Sequence, residues 1–156
     1  MSFFVRPIVV SDYTQTIEMI KRTIMISQKD IYSKKLQEEF CKKYTFENFV
    51  NKATQIDYFV AVDVDTNNVS GIIGLKGDEL RTFFVDPSQQ GKGIGRNLYT
   101  YLEGKAKEKG IKKLKVEGGQ IGELIYYRFG FIKKKTIKKE QNGISFEDAY
   151  MEKELK

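Results

Sequence analysis

Between Leu80 and Gly110 the chain changes character twice, and this passage restricts the fold more than any other. Leu80 to Val85 is an apolar, β-rich run halted by Asp86-Pro87. Ser88 to Gly95 then brings three glycines within five residues, at Gly91, Gly93 and Gly95. Leu98, Tyr99, Leu102 and Ala106 follow at helical spacing, and Gly110 closes the helix. A strand running through a tight turn into a helix places that helix back on a sheet, so the chain must be built in α and β layers. The junction also has a chemistry. The first amides of a helix have no intrahelical acceptor and point outward with the positive end of the helix dipole. Glycine lets an anion approach those amides where a side chain would hold it off, and Lys92 and Arg96 would add charge-assisted contacts.

The flanking segments complete the pattern. Phe3 to Val10 reads as an opening strand. Ser11 or Asp12 caps a helix carrying Ile17, Ile20 and Ile24 to about Ser27. A second helical stretch has Leu36 and Phe40 on one face, and Thr45 caps a further short turn through Phe49 and Val50. Tyr58 to Val64 and Val69 to Leu75 form a hairpin about Asp65-Thr66-Asn67-Asn68, and Gly77-Asp78 turns into the Leu80 run. Beyond Gly110, Ile111 to Val116 is a strand, Gly122 to Phe129 a short helix capped by Gly130, and Phe131 to Lys139 a strand. Asn142-Gly143 makes the last hairpin, closed by a strand through Tyr150 and Met151. Helices, an antiparallel meander, a βαβ-like crossover and a closing hairpin give a single α/β or α+β domain over residues 1–156 with a mixed central sheet. Its 156 residues suffice for one core without staples.

Composition narrows the chemistry. With no histidine, an imidazole base, a Ser-His-Asp triad and a His-ligated metal are excluded. One cysteine, Cys41, excludes an internal disulfide and any CxxC site, and with no histidine to activate it Cys41 reads as a packed thiol. No metal is implied. The opening apolar run is interrupted by Arg6 and Pro7, too short for a leader or membrane span, so the expectation is a cytoplasmic protein without a membrane partner. Residues 1–90 carry 11 basic and 12 acidic side chains, residues 91–156 carry 16 and 9, so a polyanionic partner should meet the second half. Lys133-Lys134-Lys135, with Lys138 and Lys139, reads as the solvated face of an edge strand.

Three kinds of phosphate-binding loop use such a glycine turn. GxxxxGK[ST] does not occur, and GxGxxG fails because Leu98 stands at its third glycine. A Q/R-x-x-G-x-G/A loop fits at Gln90-x-x-Gly93-x-Gly95. With the preceding Phe83-Phe84-Val85-Asp86-Pro87 and the full Gln90-Gly91-Lys92-Gly93-Ile94-Gly95-Arg96, the chain resembles the GNAT superfamily of N-acetyltransferases. A second motif supports the resemblance: Val116 through Tyr126-Tyr127-Arg128-Phe129-Gly130-Phe131 is similar to the family's strand-loop-helix, and Met151 to Leu155 is similar to its closing strand.

The resemblance implies a mostly antiparallel sheet of about six or seven strands flanked by about four helices, with two strands splayed around acetyl-CoA. It implies transfer of an acetyl group to a primary amine, on a small molecule or peptide, by direct attack on the thioester. Phe83, Phe84, Val85, Gln90 to Arg96, Gly119 and Tyr126 would contact the cofactor, with a backbone N–H near Phe84 or Val85 stabilising the oxyanion. Tyr126 would protonate the leaving thiolate, its ordinary pKa of about 10 keeping it protonated at neutral pH; the alternative is a merely packed aromatic. Tyr127, about 100° further round the helix, would be core. An ammonium acceptor needs a base, and Glu79 and Glu117 are the candidates by position, each alternatively a solvated turn carboxylate. The chain departs from the family at Gly118-Gly119, where many members carry Asn or Ser, and at Gly122, so only backbone contacts to the cofactor remain there.

Two other classes stay open: a non-catalytic acyl-CoA-binding or regulatory module on the same fold, and a nucleic-acid-binding domain using the basic second half. The latter lacks any reader motif, so nucleic acid is not expected. A homodimer is common for such folds, but neither oligomeric state nor acceptor is readable.

Overall fold

A computed structural model describes residues 2–156. Seven strands, β1 (Phe3–Pro7), β2 (Asp57–Asp63), β3 (Val69–Lys76), β4 (Glu79–Val85), β5 (Lys113–Gly118), β6 (Ile132–Gln141) and β7 (Ile144–Glu154), form one sheet in the order β1-β2-β3-β4-β5-β7-β6. All neighbours are antiparallel except β4 and β5. Five helices flank it: α1 (Tyr13–Ser27), α2 (Lys34–Lys42), α3 (Phe46–Ala53), α4 (Ile94–Glu108) and α5 (Gln120–Arg128).

The central strands are apolar on both faces because both are covered. Along β2, Tyr58, Val60 and Val62 pack with Ile17, Ile20 and Ile24 of α1 and Phe49 of α3. The alternate residues Phe59 and Ala61 face the layer of α4, with Ile94, Leu98, Leu102 and Ala106. On β3, Ile72 and Ile73 divide the same way. Gly71 is what lets α4 lie so close: a Cβ there would stand 2.9 Å from Leu98 Cδ1, 3.1 Å from the Phe84 carbonyl and 3.2 Å from Ile94 Cγ2.

Several boundaries differ from those read in the sequence, α5 starting at Gln120 rather than Gly122 and β6 reaching Gln141 rather than Lys139 among them. β1 stops at Pro7 rather than Val10, because Asp12 accepts from the Val9 amide at 2.9 Å and from Arg6 at 2.8 Å, drawing Val10–Asp12 into a 3₁₀ turn that leads into α1. The turn after Thr45 is the full helix α3, with the Thr45 hydroxyl accepting from the Asn48 amide. β5 begins at Lys113 and continues to Gly118, since β7 pairs with it as far as Gly118↔Ala149. The lysine-rich β6 is the sheet edge, as its alternation predicted.

The parallel pair matters most for function. β4 and β5 pair only at Glu79↔Lys115 and Leu80↔Val116. Directly beyond, the β3–β4 register slips, so that Leu80 and Thr82 face Leu75 and Gly74 and Arg81 is left over as a bulge. A bulge bends its strand, and here it turns β4 away from β5, opening the sheet toward its own C-terminal ends. Among the described residues, no helix is long and apolar enough to cross a membrane.

Candidate active site

The opening between β4 and β5 is the throat of a cleft of about 1020 Å³. At one end stands the glycine turn. Gly91 and Gly93 have φ of 81° and 82°, in the left-handed region that glycine adopts without strain. Gly93 is the N-cap of α4 and makes no side-chain cap. Among the described residues, none of the amides of residues 91–96 has an acceptor within the chain, whereas the next amide, Asn97, is already bonded to the Gly93 carbonyl at 3.1 Å. Asp86 holds the turn in place. Its carboxylate accepts from Arg22 of α1 at 2.5 Å and from the amide and hydroxyl of Ser88 at 3.0 Å. Burial opposes its ionisation, but these donors outweigh it and the carboxyl sits below its ordinary pKa. Gln90 donates to the Val85 carbonyl at 3.1 Å, Lys92 reaches Gln89, and Arg96 lies over the Phe129 ring at 5.6 Å. Gly95 and Ile94 rest against the sheet, with a Cβ on Gly95 at 3.4 Å from Phe83 and Ile94 fully buried.

The β4 edge lines the throat. The Asp86 amide bonds the Ser70 carbonyl on β3, and alternation along an antiparallel strand then directs the Phe84 amide to β3 and those of Phe83 and Val85 toward the opening. The Phe83 ring flanks Tyr126, 6.1 Å between centroids, while Phe84 lies on the other face against Tyr44.

Tyr126 is 6% exposed on α5 and its hydroxyl has no hydrogen-bond partner among the described residues. Burial raises its pKa well above the ordinary tyrosine value, and the charge of Asp148 adds to this, so the hydroxyl stays protonated at neutral pH. The glycines at the departure from the family pattern make room for rings. A Cβ on Gly118 would fall 2.8 Å from Tyr126 Cε2, one on Gly122 3.1 Å from the same atom, and one on Gly119 would collide with the Tyr32 hydroxyl. Tyr127, expected in the core, is instead 72% exposed: the turn of the helix that buries Tyr126 points its neighbour to solvent.

The two carboxylates named from sequence part company. Glu79 is outside the cleft wall, at the paired end of β4, 3.6 Å from Arg81. Glu117 lines the cleft and is ion-paired with Lys139, which also holds Asp148 at 3.2 Å. Asp148, on β7 with its side chain 14% exposed, was not singled out in the sequence. It is close enough to the Tyr32 and Tyr126 hydroxyls for its charge to oppose the ionisation of both. The far end of the cleft is equally new: Tyr32, Phe40 and Phe146 meet edge to face at 5.2 to 6.3 Å, Lys43 lies over Phe40, and Arg81 is elsewhere on the cleft lining. These residues come from the α1–α2 loop, α2, the β4 bulge and the β6–β7 hairpin, and no local pattern announces their meeting. Cys41 is half-buried on α2, its pKa raised by burial, as befits an inert thiol. Among the described residues no group of three or more His, Cys, Asp or Glu is placed to hold a metal.

Comparison with known proteins places this arrangement. No curated protein sequence matches the chain significantly. Among solved structures, a GCN5-related N-acetyltransferase from Rhodopseudomonas palustris superposes with a TM-score of 0.91 at 22% identity, covering 99% of this chain and 97% of that one. The PaiA N-acetyltransferase of Thermoplasma acidophilum, in complex with coenzyme A, gives 0.83 at 24%, covering 99% and 100%. YncA of Salmonella typhimurium, a putative acetyltransferase solved with acetyl-CoA, gives 0.69 at 14%, covering 100% and 95%. Residues 23–155 match the model of the acetyltransferase (GNAT) domain, and the chain therefore belongs to the GNAT acetyltransferase family.

Proposed function

We propose that this chain, acting as one domain, transfers the acetyl group of acetyl-CoA to a primary amine in the β4–β5 cleft. One observation carries the reading: a single cleft joins the acceptor-less amides of residues 91–96 to the unpartnered Tyr126 hydroxyl through the opened edge of β4. The residues present fit acetyl-CoA. Amides 91–96, with Lys92 and Arg96, suit its phosphates, and Gly91 and Gly93 keep side chains out of the way. The free edge of β4 at Phe83 and Val85 suits the amides of its pantetheine arm, as an added strand would. Bound there, acetyl-CoA supplies an acyl carbon activated as a thioester.

The chain's own groups then divide the work. Either the Phe83 or the Val85 amide donates to the carbonyl oxygen as negative charge gathers on it, a contribution of about 3 kcal/mol in comparable sites. Glu117 and Asp148 both pair with Lys139, and Lys43 lies near enough to Asp148 to feel its charge, so the two carboxylates are held ionised beside the path an amine would take to Tyr126. Asp148 takes up the proton that the amine must lose; an amine of pKa near 10.4 is only about one part in 10³ to 10⁴ free at neutral pH, a cost of roughly 4–5 kcal/mol. As the new C–N bond forms and the C–S bond breaks, Tyr126 gives its proton to the sulfur. Its raised pKa keeps that proton available.

Thiol release from acetyl-CoA with a panel of amines, on the wild type, Tyr126→Phe and Asp148→Asn, tests the reading. Amine-dependent release that falls at least about 10²-fold in Tyr126→Phe supports it. Tight acetyl-CoA binding without turnover of any amine would favour the non-catalytic acyl-CoA module instead.

A further inference from the structure

The cleft wall beyond Tyr126 is crossed by one long side chain, that of Lys139. Among the described residues it is the only cation paired with two carboxylates, Glu117 and Asp148, the second at 3.2 Å. The strand register shows how far it reaches. β7 lies between β5 and β6, with Glu117 opposite Tyr150 on one side and Ile137 opposite Asp148 on the other. Residues directly opposite each other share a face, as do residues two apart along a strand, so Glu117, Asp148 and Lys139 form a diagonal on the face that lines the cleft. Neighbouring strands are about 4.8 Å apart, and the Lys139 stem therefore crosses the whole of β7 to meet Glu117. It does so just where pairing stops: Gly118↔Ala149 is the last pair of β5 with β7, and Asp148 is the residue beyond it.

Two carboxylates gathered at one point repel each other, and without a cation between them one tends to hold a proton. The other groups around Asp148 do not replace Lys139. Tyr126 of α5 and Tyr32 of the α1–α2 loop face it as neutral hydroxyls, their pKa raised by burial first and by the Asp148 charge second. Lys43, at the end of α2, feels the charge of Asp148 but is within ion-pair distance of neither carboxylate, and burial and the charge of Lys139 lower its pKa. For Lys139 itself burial opposes the charge, yet its contacts with Glu117 and Asp148 outweigh this and raise its pKa, so it remains an ammonium throughout the range in which carboxylates titrate.

We propose that Lys139 is the positioning residue for proton transfer: its ammonium ties the β6–β7 hairpin to the end of β5, fixes Asp148 beside Tyr126 and keeps it free of a proton at acidic pH, where an unclamped pair of carboxylates would already share one. The inference rests on the acetyl-transfer reading and names what governs the proton acceptor of that same site.

The test is the ratio of wild-type to variant kcat/KM for one amine between about pH 8 and about pH 4, from which the acceptor's own titration cancels. A thiol reagent active in acid reads the release, and a thermal melt at each pH shows that the chain is folded. In Lys139→Gln the ratio should be level above about pH 7 and grow by about 10-fold toward pH 4, since losing one opposite charge from a part-exposed pair moves the acid limb up by about one pH unit. Lys139→Arg, which keeps the charge, should level the ratio again, and Lys138→Gln, one place along β6 on its other face, should leave it level throughout. Adding Glu117→Gln to Lys139→Gln should shrink the rise, because the remaining carboxylate no longer has a like charge beside it. A lysine that merely braced the hairpin would lower Tm in Lys139→Gln and leave the ratio level; that result, or a rise undiminished by Glu117→Gln, overturns the proposal. Should no amine be acetylated, the transfer reading fails separately, and carbon-13 NMR titration of the side-chain carboxyls still decides the clamp. The Glu117–Asp148 pair should take up its first proton about one pH unit higher in Lys139→Gln than in the wild type; equal midpoints refute it.

Discussion

Gly118 sits under the face of the ring whose hydroxyl the proposed chemistry needs, and adding one methyl group there perturbs that chemistry without touching a polar atom. In Gly118→Ala the new Cβ would stand 2.8 Å from Tyr126 Cε2 and 3.0 Å from Cδ2. Carbon atoms prefer about 3.5–4.0 Å, so the ring must retreat by roughly 0.5–1 Å. It has nowhere easy to go: Phe131, 1% exposed, lies 5.7 Å away centroid to centroid, and Phe83 lies at 6.1 Å. Overpacking of this kind costs about 1–3 kcal/mol, which for a domain of this size lowers Tm by about 2–12 °C. A reacting group displaced by about 1 Å costs on the order of 10²-fold in rate. The assay is a thermal melt beside thiol-release kinetics on the wild type, Gly118→Ala, Tyr126→Phe and the double variant. If the methyl acts by moving the Tyr126 hydroxyl, its effect on kcat should largely vanish in the Tyr126→Phe background, where there is no hydroxyl to move, while its effect on Tm persists. Wild-type Tm and kcat in Gly118→Ala, or kinetic losses that simply multiply in the double variant, would refute the reasoning.

Other consequences follow from the same geometry. Arg22→Met removes the donor 2.5 Å from Asp86, and with Arg22 about half exposed the loss should be about 1–2 kcal/mol of stability together with a raised KM for acetyl-CoA, checked by denaturant melts and steady-state kinetics. The Asp86 carboxyl is held below its ordinary value of 3.8, so its stabilising effect is complete above that pH and disappears as pH falls through the depressed folded value; melts between pH 2 and 6 on the wild type and Asp86→Asn should converge at the acid end. Gly71→Ala drives a Cβ to 2.9 Å from Leu98 and should loosen the start of α4, lowering Tm and weakening coenzyme A binding together in calorimetry; a lowered Tm with unchanged affinity would detach the glycine turn from that packing. Leu98→Ala, at a fully buried position, should cost about 2–5 kcal/mol in a urea melt.

How much of this could be read in the sequence depended on how local the determining interaction is. The turn from β4 into α4 was legible because Pro87, Gly91 and Gly93 act through their own backbone angles, and Gly91 and Gly93 do adopt the left-handed region. Helix α1 and the β2–β3 hairpin were legible from period and turn residues. The Arg81 bulge was not, because nothing in Glu79 to Val85 distinguishes a strand that pairs throughout from one that bends away. That Gly118 and Gly119 make room for rings was not legible, since the rings, Tyr126 and Tyr32, lie 8 and 87 residues away along the chain. Asp148 and Lys43 were invisible as site residues for the same reason: their position depends on how the β6–β7 hairpin and α2 converge, which Glu39 secures by accepting from Asn142 at 2.9 Å.

A crystal structure of the chain with coenzyme A measures the central distance directly. Diphosphate oxygens should accept from the amides of residues 91–96, and the sulfur should come within about 3.5 Å of the Tyr126 hydroxyl. A coenzyme seated elsewhere, or seated on that turn with its thiol turned away from the tyrosine, would contradict the account.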